Sequence, residues 1–254
     1  MRFSLIELVN NTSIQAVVNQ LQRIGLDYGH KVMIHASFKA MKIWHPEILI
    51  QALEETIGNS GLIMMPALSY HSPITTPFDT LTTRSCVGYL AEYFRLRNGT
   101  LRSLHPTHSV CASGSNAHEF LNRHLLDVTP CGLHSPFNKL IWSRGKILMI
   151  GCGLKPNTTM HAIEEYIAPP YLFGRIIQYS MIDKHGMPIT KKYISHDFKG
   201  YAQRYDKIAC DLKWPYLIRG TIGNAEACLI DCKELYIRAL DRLKADPFYF
   251  VDRE

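Results

Sequence analysis

The chain has 254 residues, of which 46% are hydrophobic, 20% charged and 10% aromatic. This is ordinary globular composition, and it excludes disordered, collagen-like and coiled-coil classes. Its 28 Lys and Arg against 22 Asp and Glu give a net charge of +6. That charge is spread along the chain, with a modest excess at Arg84, Arg95, Arg97 and Arg102, so a solvated basic face is expected rather than a nucleic-acid module.

The opening MRFSLIELVNNTSIQ carries only a brief apolar patch, without the long run and cleavage pattern of a signal peptide. No stretch approaches the ~18 apolar residues of a membrane span. Seven cysteines, at 86, 111, 131, 152, 210, 228 and 232, are odd in number and lack zinc spacing. They read as free thiols in a cytoplasmic protein.

From Ser13 to Ile24 the apolar residues Ile14, Val17, Val18, Leu21 and Ile24 recur at helical spacing. Thr12 or Ser13 supplies the cap and Gly25 the stop. Lys31–His35 (KVMIH) reads as a short strand. Pro46 suits the first turn of a second helix, whose buried stripe is Ile48, Leu49, Ala52, Leu53 and Ile57. Leu62–Pro66 (LIMMP) is a second buried strand. This order predicts an α/β fold: one compact domain over residues 1–254, a largely parallel central sheet flanked by helices, and an added antiparallel portion. The prolines within Tyr70–Asp79 predict a loop. Helices are expected over Val87–Phe94 and Ala117–Leu125, a strand over Ile147–Ile150 ending in Gly151-Cys152-Gly153, and a helix starting within Asn157–Tyr166. Between Tyr171 and Leu217 alternation dominates, with His185-Gly186 as a hairpin turn. Cys228–Leu243 reads as a closing amphipathic helix.

Six of the 12 histidines fall between residues 105 and 161, and histidine is the natural base near neutral pH. His161 follows the strand KILMIGCG at the start of a helix, and sites in doubly wound sheets lie beyond the carboxyl ends of strands. Glu164 and Glu165, three and four residues on, share its side of a helix. A carboxylate on one ring nitrogen fixes the tautomer and raises basicity at the other. The alternative is a capping histidine beside solvated glutamates, and spacing alone does not separate the two. The stretch Arg102–Ser109 (RSLHPTHS) concentrates polar groups in a loop stiffened by Pro106, as ligand loops do, although a plain turn would look the same. His35 and Ser37 end the first strand on the same side. Gly151 and Gly153 hint at close approach of a ligand. Cys152 is the best nucleophile for a rival cysteine-hydrolase reading, but fits better as a small apolar filler. HExxH, GxSxG, P-loop and GxGxxG patterns are absent.

These residues carry a resemblance. Lys31–Ser37, Gly61–Pro66, Phe78-Asp79 with Gly88, Arg102–Pro106 with Ser109, Ser135-Pro136, Gly145–Gly151, Asn157–Glu164 and Gly220–Ala225 occur in an order similar to that of the aminoglycoside 3-N-acetyltransferase family. The resemblance covers almost the whole chain. It implies an acyltransferase that moves the acetyl group of acetyl-coenzyme A onto an amino group of an aminoglycoside-type amino sugar, with no metal. By this likeness His161 is the acid-base residue and Glu164 orients it. His35, Ser37, Ser103, His105 and Ser109 surround the thioester and pantetheine arm. Asp79, with Glu165, faces the amine-bearing substrate. Nucleic acid and membrane are not expected partners, and a homodimer is an admissible assembly. The stretch Tyr70–Phe78 is shorter than in many aminoglycoside-modifying members. With the +6 charge, this supports an alternative acceptor, a nucleotide-linked amino sugar of cell-surface polysaccharide or secondary-metabolite synthesis. A catalytically dead binding protein is the third reading, opposed by the intact His161, Glu164 and Asp79.

Overall fold

The computed structural model describes residues 13–254; the opening segment read for a signal peptide, and Thr12, lie outside the described residues. In chain order the elements are α1 (Ile14–Arg23), β1 (Lys31–Ala36), α2 (Phe38–Met41), α3 (Pro46–Ile57), β2 (Leu62–Pro66), β3 (Phe78–Asp79), α4 (Tyr89–Leu96), β4 (Leu101–Arg102), β5 (Val110–Gly114), α5 (Ala117–Leu121), α6 (Pro136–Trp142) and β6 (Lys146–Ile150). They continue with α7 (Thr159–Ile167), β7 (Phe173–Ile182), β8 (Pro188–His196), β9 (Tyr201–Gln203), β10 (Leu217–Ile222), β11 (Ala225–Asp231), α8 (Cys232–Ala245) and β12 (Val251–Arg253). Short 3-10 turns occupy His124–Leu126 and Tyr205–Cys210.

A seven-stranded sheet runs in the order β10-β11-β6-β1-β2-β5-β4. Its centre is parallel, with β1 paired to both β2 and β6. Toward both edges the pairing turns antiparallel. The three central strands are continuous apolar runs because both faces are covered. Alternate residues enter opposite cores. Val32, Ile34, Ile63, Met65, Leu148 and Ile150 pack with α1, α3 and α4 on one side. Met33, Leu62, Met64, Ile147 and Met149 pack with α5, α6, α7 and α8 on the other. Within α1, Val17 and Leu21 are fully buried, each worth ~1.5–3 kcal/mol of apolar burial. Ser13 caps that helix by accepting the Ala16 N–H.

The β7/β8 hairpin forms the expected antiparallel portion as part of a separate three-stranded sheet, with β3 alongside β7. Its turn is the one read at His185-Gly186, where Asp183 accepts the His185 and Met187 N–H groups. The closing helix is a correction. Cys228 lies in β11, and the helix begins at Cys232, with Asp231 accepting the Glu234 N–H at its start. The run ACLI is buried between β10 and β6, and an apolar run that short has no periodicity that separates strand from helix. Strand β5 (VCASG) was not predicted, since it holds a single β-branched residue. All seven cysteines are free. Among the described residues no helix is long and apolar enough to cross a membrane.

Candidate active site

The parallel register aligns Ala36 with Ile150, so β1 and β6 end together. Strand β5 runs the other way and starts against the end of β2, Val110 opposite Pro66. The loop just before β5 is thereby brought to the same edge. A cleft of about 630 Å³ opens there, lined by His35, His108, Cys152, His161, His196 and Tyr205 among others. It sits beyond the carboxyl ends of the parallel strands, where such sheets place their ligands.

His161 lies in the first turn of α7, which Asn157 starts by accepting the Thr159 N–H. Glu164, one turn on, is fully buried rather than solvated. Its Oε1 accepts from the Tyr171 hydroxyl at 2.7 Å and its Oε2 from the Tyr205 hydroxyl at 2.6 Å. His161 Nδ1 stands 2.8 Å from the Tyr205 oxygen and 3.2 Å from Glu164 Oε2. With the Tyr205 proton committed to Glu164, Nδ1 must be the donor. Nε2 is then the lone-pair nitrogen of a side chain that lines the cleft. The capping-histidine alternative fails on this burial and on the two tyrosines.

The glutamates adjacent in sequence do different work. Glu165 Oε1 accepts the Cys131 N–H at 2.8 Å and faces His196 Nε2 at 2.9 Å, and its Oε2 accepts from Thr129. It therefore holds His196 and does not line the cleft. Burial pushes the Glu165 carboxyl up to about 7 and pushes His196 well below the ordinary imidazole value. Burial, aided by the neighbouring His161, likewise pushes His35 down to about 3. His108 is shifted in the same direction, by burial first and then by His196 and His161.

Of the other residues singled out in the sequence, His35 lines the cleft, whereas Ser37, Ser103, His105, Ser109 and Asp79 do not. Ser103 Oγ lies 2.9 Å from His124 Nδ1 and accepts the Val110 N–H. Ser109 Oγ donates to the Ala67 carbonyl and accepts from Arg102 Nε. His105 is fully buried, with Nδ1 accepting the His108 N–H and its ring stacked on His124. Asp79 accepts the Leu81 and Thr82 N–H groups of its own turn. Ser37 donates its N–H to the Ile150 carbonyl and so ties the ends of β1 and β6 together. The basic excess is also internally occupied. Arg95 pairs with Glu92, Arg97 with Glu47 and Glu54, and Arg102 donates to the Thr83 and Ala67 carbonyls.

His108, His196 and Tyr205 also line the cleft and are not among the site residues expected from the sequence. His108 sits within the polar stretch RSLHPTHS, next to Ser109. His196 closes a strand, and a histidine at a strand end was the only available signal. Tyr205 had none. Gly151, read as a point of ligand approach, is explained by packing: with φ +64° it lies where a Cβ would come within 2.6 Å of Ala40 Cβ. The Cys152 thiol donates toward the His35 carbonyl, and burial raises its pKa, the reverse of an activated nucleophile.

The family model for aminoglycoside 3-N-acetyltransferase matches residues 33–244. The chain belongs to that family. It is therefore an N-acetyltransferase by class. It is 28% identical over 243 residues to aminoglycoside N(3)-acetyltransferase IV of Salmonella sp, covering 92% of this chain and 88% of the relative. Aminoglycoside N(3)-acetyltransferase III of Pseudomonas aeruginosa is 31% identical over 176 residues, covering 60% and 63%. Among solved structures, AAC-IIIb in its binary complex with CoASH superposes with a TM-score of 0.78 at 25% identity, over 92% of this chain and 96% of that one. AAC-VIa bound to sisomicin gives 0.77 at 26% identity, over 92% and 97%.

Proposed function

We propose that this acetyltransferase moves the acetyl group of acetyl-coenzyme A directly onto an amine of an aminoglycoside-type amino sugar, with His161 as general base. The observation that carries the reading is the Glu164–Tyr205–His161 arrangement, which leaves Nε2 of His161 basic in a cleft wall. The relatives' names and the CoASH and sisomicin complexes of AAC-IIIb and AAC-VIa support the two substrates.

In this reading the amine nitrogen attacks the thioester carbonyl while its proton passes to His161 Nε2. Buried Glu164, held by two tyrosine hydroxyls, stabilises the imidazolium that forms. The tetrahedral intermediate then expels coenzyme A: the C–S bond breaks, the C–N bond remains, and His161 returns the proton to the thiolate. The chemistry asks for no metal. His35 and the apolar wall of Val87, Leu90 and Ala91 are the lining on which a pantetheine arm would rest.

One observation favours the second acceptor class, a less cationic, nucleotide-linked amino sugar. Among the described residues lining the cleft there is no Asp or Glu, and the one formal charge is Lys155. A polycationic antibiotic is best matched by carboxylates.

The test is turnover followed by free-thiol release on a panel of aminoglycosides and nucleotide-linked amino sugars. His161→Ala should lose ~10²–10⁴-fold in kcat, the usual size of an acid-base contribution, with coenzyme A binding retained by calorimetry. Near-normal turnover in His161→Ala would remove the base from this residue. No thiol release with any amine would refute the reading as a whole.

A further inference from the structure

Transfer uses one imidazole, yet two more converge on it. One ring nitrogen from each of His108, His161 and His196 lies within 4.8 Å of the other two. The residues come from three separate elements: the loop before β5, the first turn of α7 and the end of β8. In each ring one nitrogen is already held. Thr107 Oγ1 sits 2.9 Å from His108 Nδ1. Tyr205 and Glu164 take His161 Nδ1. Glu165 Oε1, which already accepts the Cys131 N–H, takes the proton of His196 Nε2.

The nitrogens left over are Nε2 of His108, Nε2 of His161 and Nδ1 of His196. The last is buried and has no hydrogen-bond partner among the described residues, a condition that calls for an explanation in a native structure. Two of the three rings are backed by carboxylates, the outer-shell arrangement that orients metal-bound imidazoles.

We infer that His108, His161 and His196 form a site for one divalent transition metal, Zn²⁺ by donor type, whose binding occupies the lone pair of His161 and switches off acetyl transfer. Three imidazoles with a fourth position open to water suit Zn²⁺, whereas Mg²⁺ and Ca²⁺ require oxygen donors. A triangle of donors no more than 4.8 Å on a side has its centre at most about 2.8 Å from each corner. Zn–N bonds of ~2.0–2.1 Å in a tetrahedral site ask each ring to close by at most ~0.8 Å, within reach of small side-chain rotations. The switching half of the inference rests on His161 being the base; the metal site itself does not.

The experiment is a titration of metal-stripped full-length protein with Co²⁺ as a spectroscopic probe, followed by displacement with Zn²⁺. One equivalent should bind with visible d–d bands and without the near-ultraviolet charge transfer of cobalt thiolates. That absence separates the site from the protein's free cysteines. His196→Ala should weaken binding by more than ~10-fold, and Glu165→Gln, acting through His196, by ~10–100-fold. Should His196→Ala fail to fold, His161→Ala serves as the second ligand variant. Zn²⁺ should inhibit turnover of the wild type with the same midpoint as it displaces Co²⁺. No Co²⁺ uptake, uptake with thiolate bands, or uptake unchanged in both His196→Ala and His161→Ala would overturn the site. Binding at the three histidines that leaves turnover intact would overturn the switch. An active His161→Ala enzyme would sink the general-base reading while leaving the wild-type cobalt spectrum, and hence the site, standing.

Discussion

Replacing Tyr205 by phenylalanine removes one oxygen and should cost turnover without costing coenzyme A affinity. That hydroxyl makes two contacts at the centre of the proposed machinery, donating to Glu164 at 2.6 Å and accepting from His161 Nδ1 at 2.8 Å. A hydrogen bond to a charged group is worth ~1.5–3 kcal/mol, which converts to a ~10–100-fold fall in kcat. The fall should stop short of that for His161→Ala, because Glu164 Oε2 still stands 3.2 Å from Nδ1 and can hold the ring. Tyr171→Phe is the matched control. Its hydroxyl also donates to buried Glu164, at 2.7 Å, but to the other oxygen and without touching the histidine. Both variants leave a buried carboxylate one partner short and should lose comparable stability, ~1–3 kcal/mol. Only Tyr205→Phe should loosen the imidazole. Steady-state kinetics, run well below both melting temperatures, read the split: a large kcat effect for Tyr205→Phe, a small one for Tyr171→Phe, and an unchanged KM for acetyl-coenzyme A in each. Equal kcat losses, or a Tyr205→Phe enzyme at wild-type speed, would refute the orienting role.

Mild acid should destabilise the fold. His35 and His124 have folded pKa values of about 3 against 6.5 when free, so the unfolded chain takes up protons first and stability is lost as pH falls below ~6.5, roughly 1 kcal/mol for each between pH 7 and about pH 5.5. His105, His108 and His196 are shifted the same way by burial. Glu165, raised to about 7, works against them by roughly 1–2 kcal/mol over that interval, so the five histidines prevail. Thermal melts should show a lower Tm near pH 5.5 than at pH 7, and a flat or rising Tm would contradict the burial argument. Gly151→Ala meets both a left-handed φ of +64° and Ala40 Cβ at 2.6 Å, while Gly153→Ala meets φ +66° in open space. Urea melts should show the first losing ~2–4 kcal/mol and the second ~1, and equal losses would show that crowding at Gly151 is unimportant.

The parts of the site carried by local spacing were legible in the sequence. His161 and Glu164 are one helical turn apart, behind a strand whose unbroken apolar run announces a sheet centre. The parts carried by chain crossings were not. Tyr205 reaches His161 across 44 residues and His196 reaches Glu165 across 31, distances at which periodicity carries no information. Polar density misled at Ser103 and Ser109, whose hydroxyls serve the Val110 N–H and the Ala67 carbonyl inside the fold. A hydroxyl that satisfies buried backbone looks the same in sequence as one that greets a ligand. Asp79 shows the same ambiguity for a carboxylate, since turns and substrates both want acceptors.

The position of β11 has a consequence for how the chain is made. In the finished sheet β6 is an interior strand, flanked by β1 and β11. On the ribosome, however, Lys146–Ile150 emerges long before Ala225–Asp231. Until those late residues arrive, KILMI is the open rim of a nascent sheet, apolar and with unpaired backbone groups along one side. Such a rim is a template for pairing with another copy. A stop codon or frameshift between residues 150 and 225 therefore does more than shorten the protein: it yields a chain that keeps β6 and lacks β11, whose central sheet has a permanently adhesive side and which is expected in inclusion bodies or among proteolysed products rather than as a weakened enzyme.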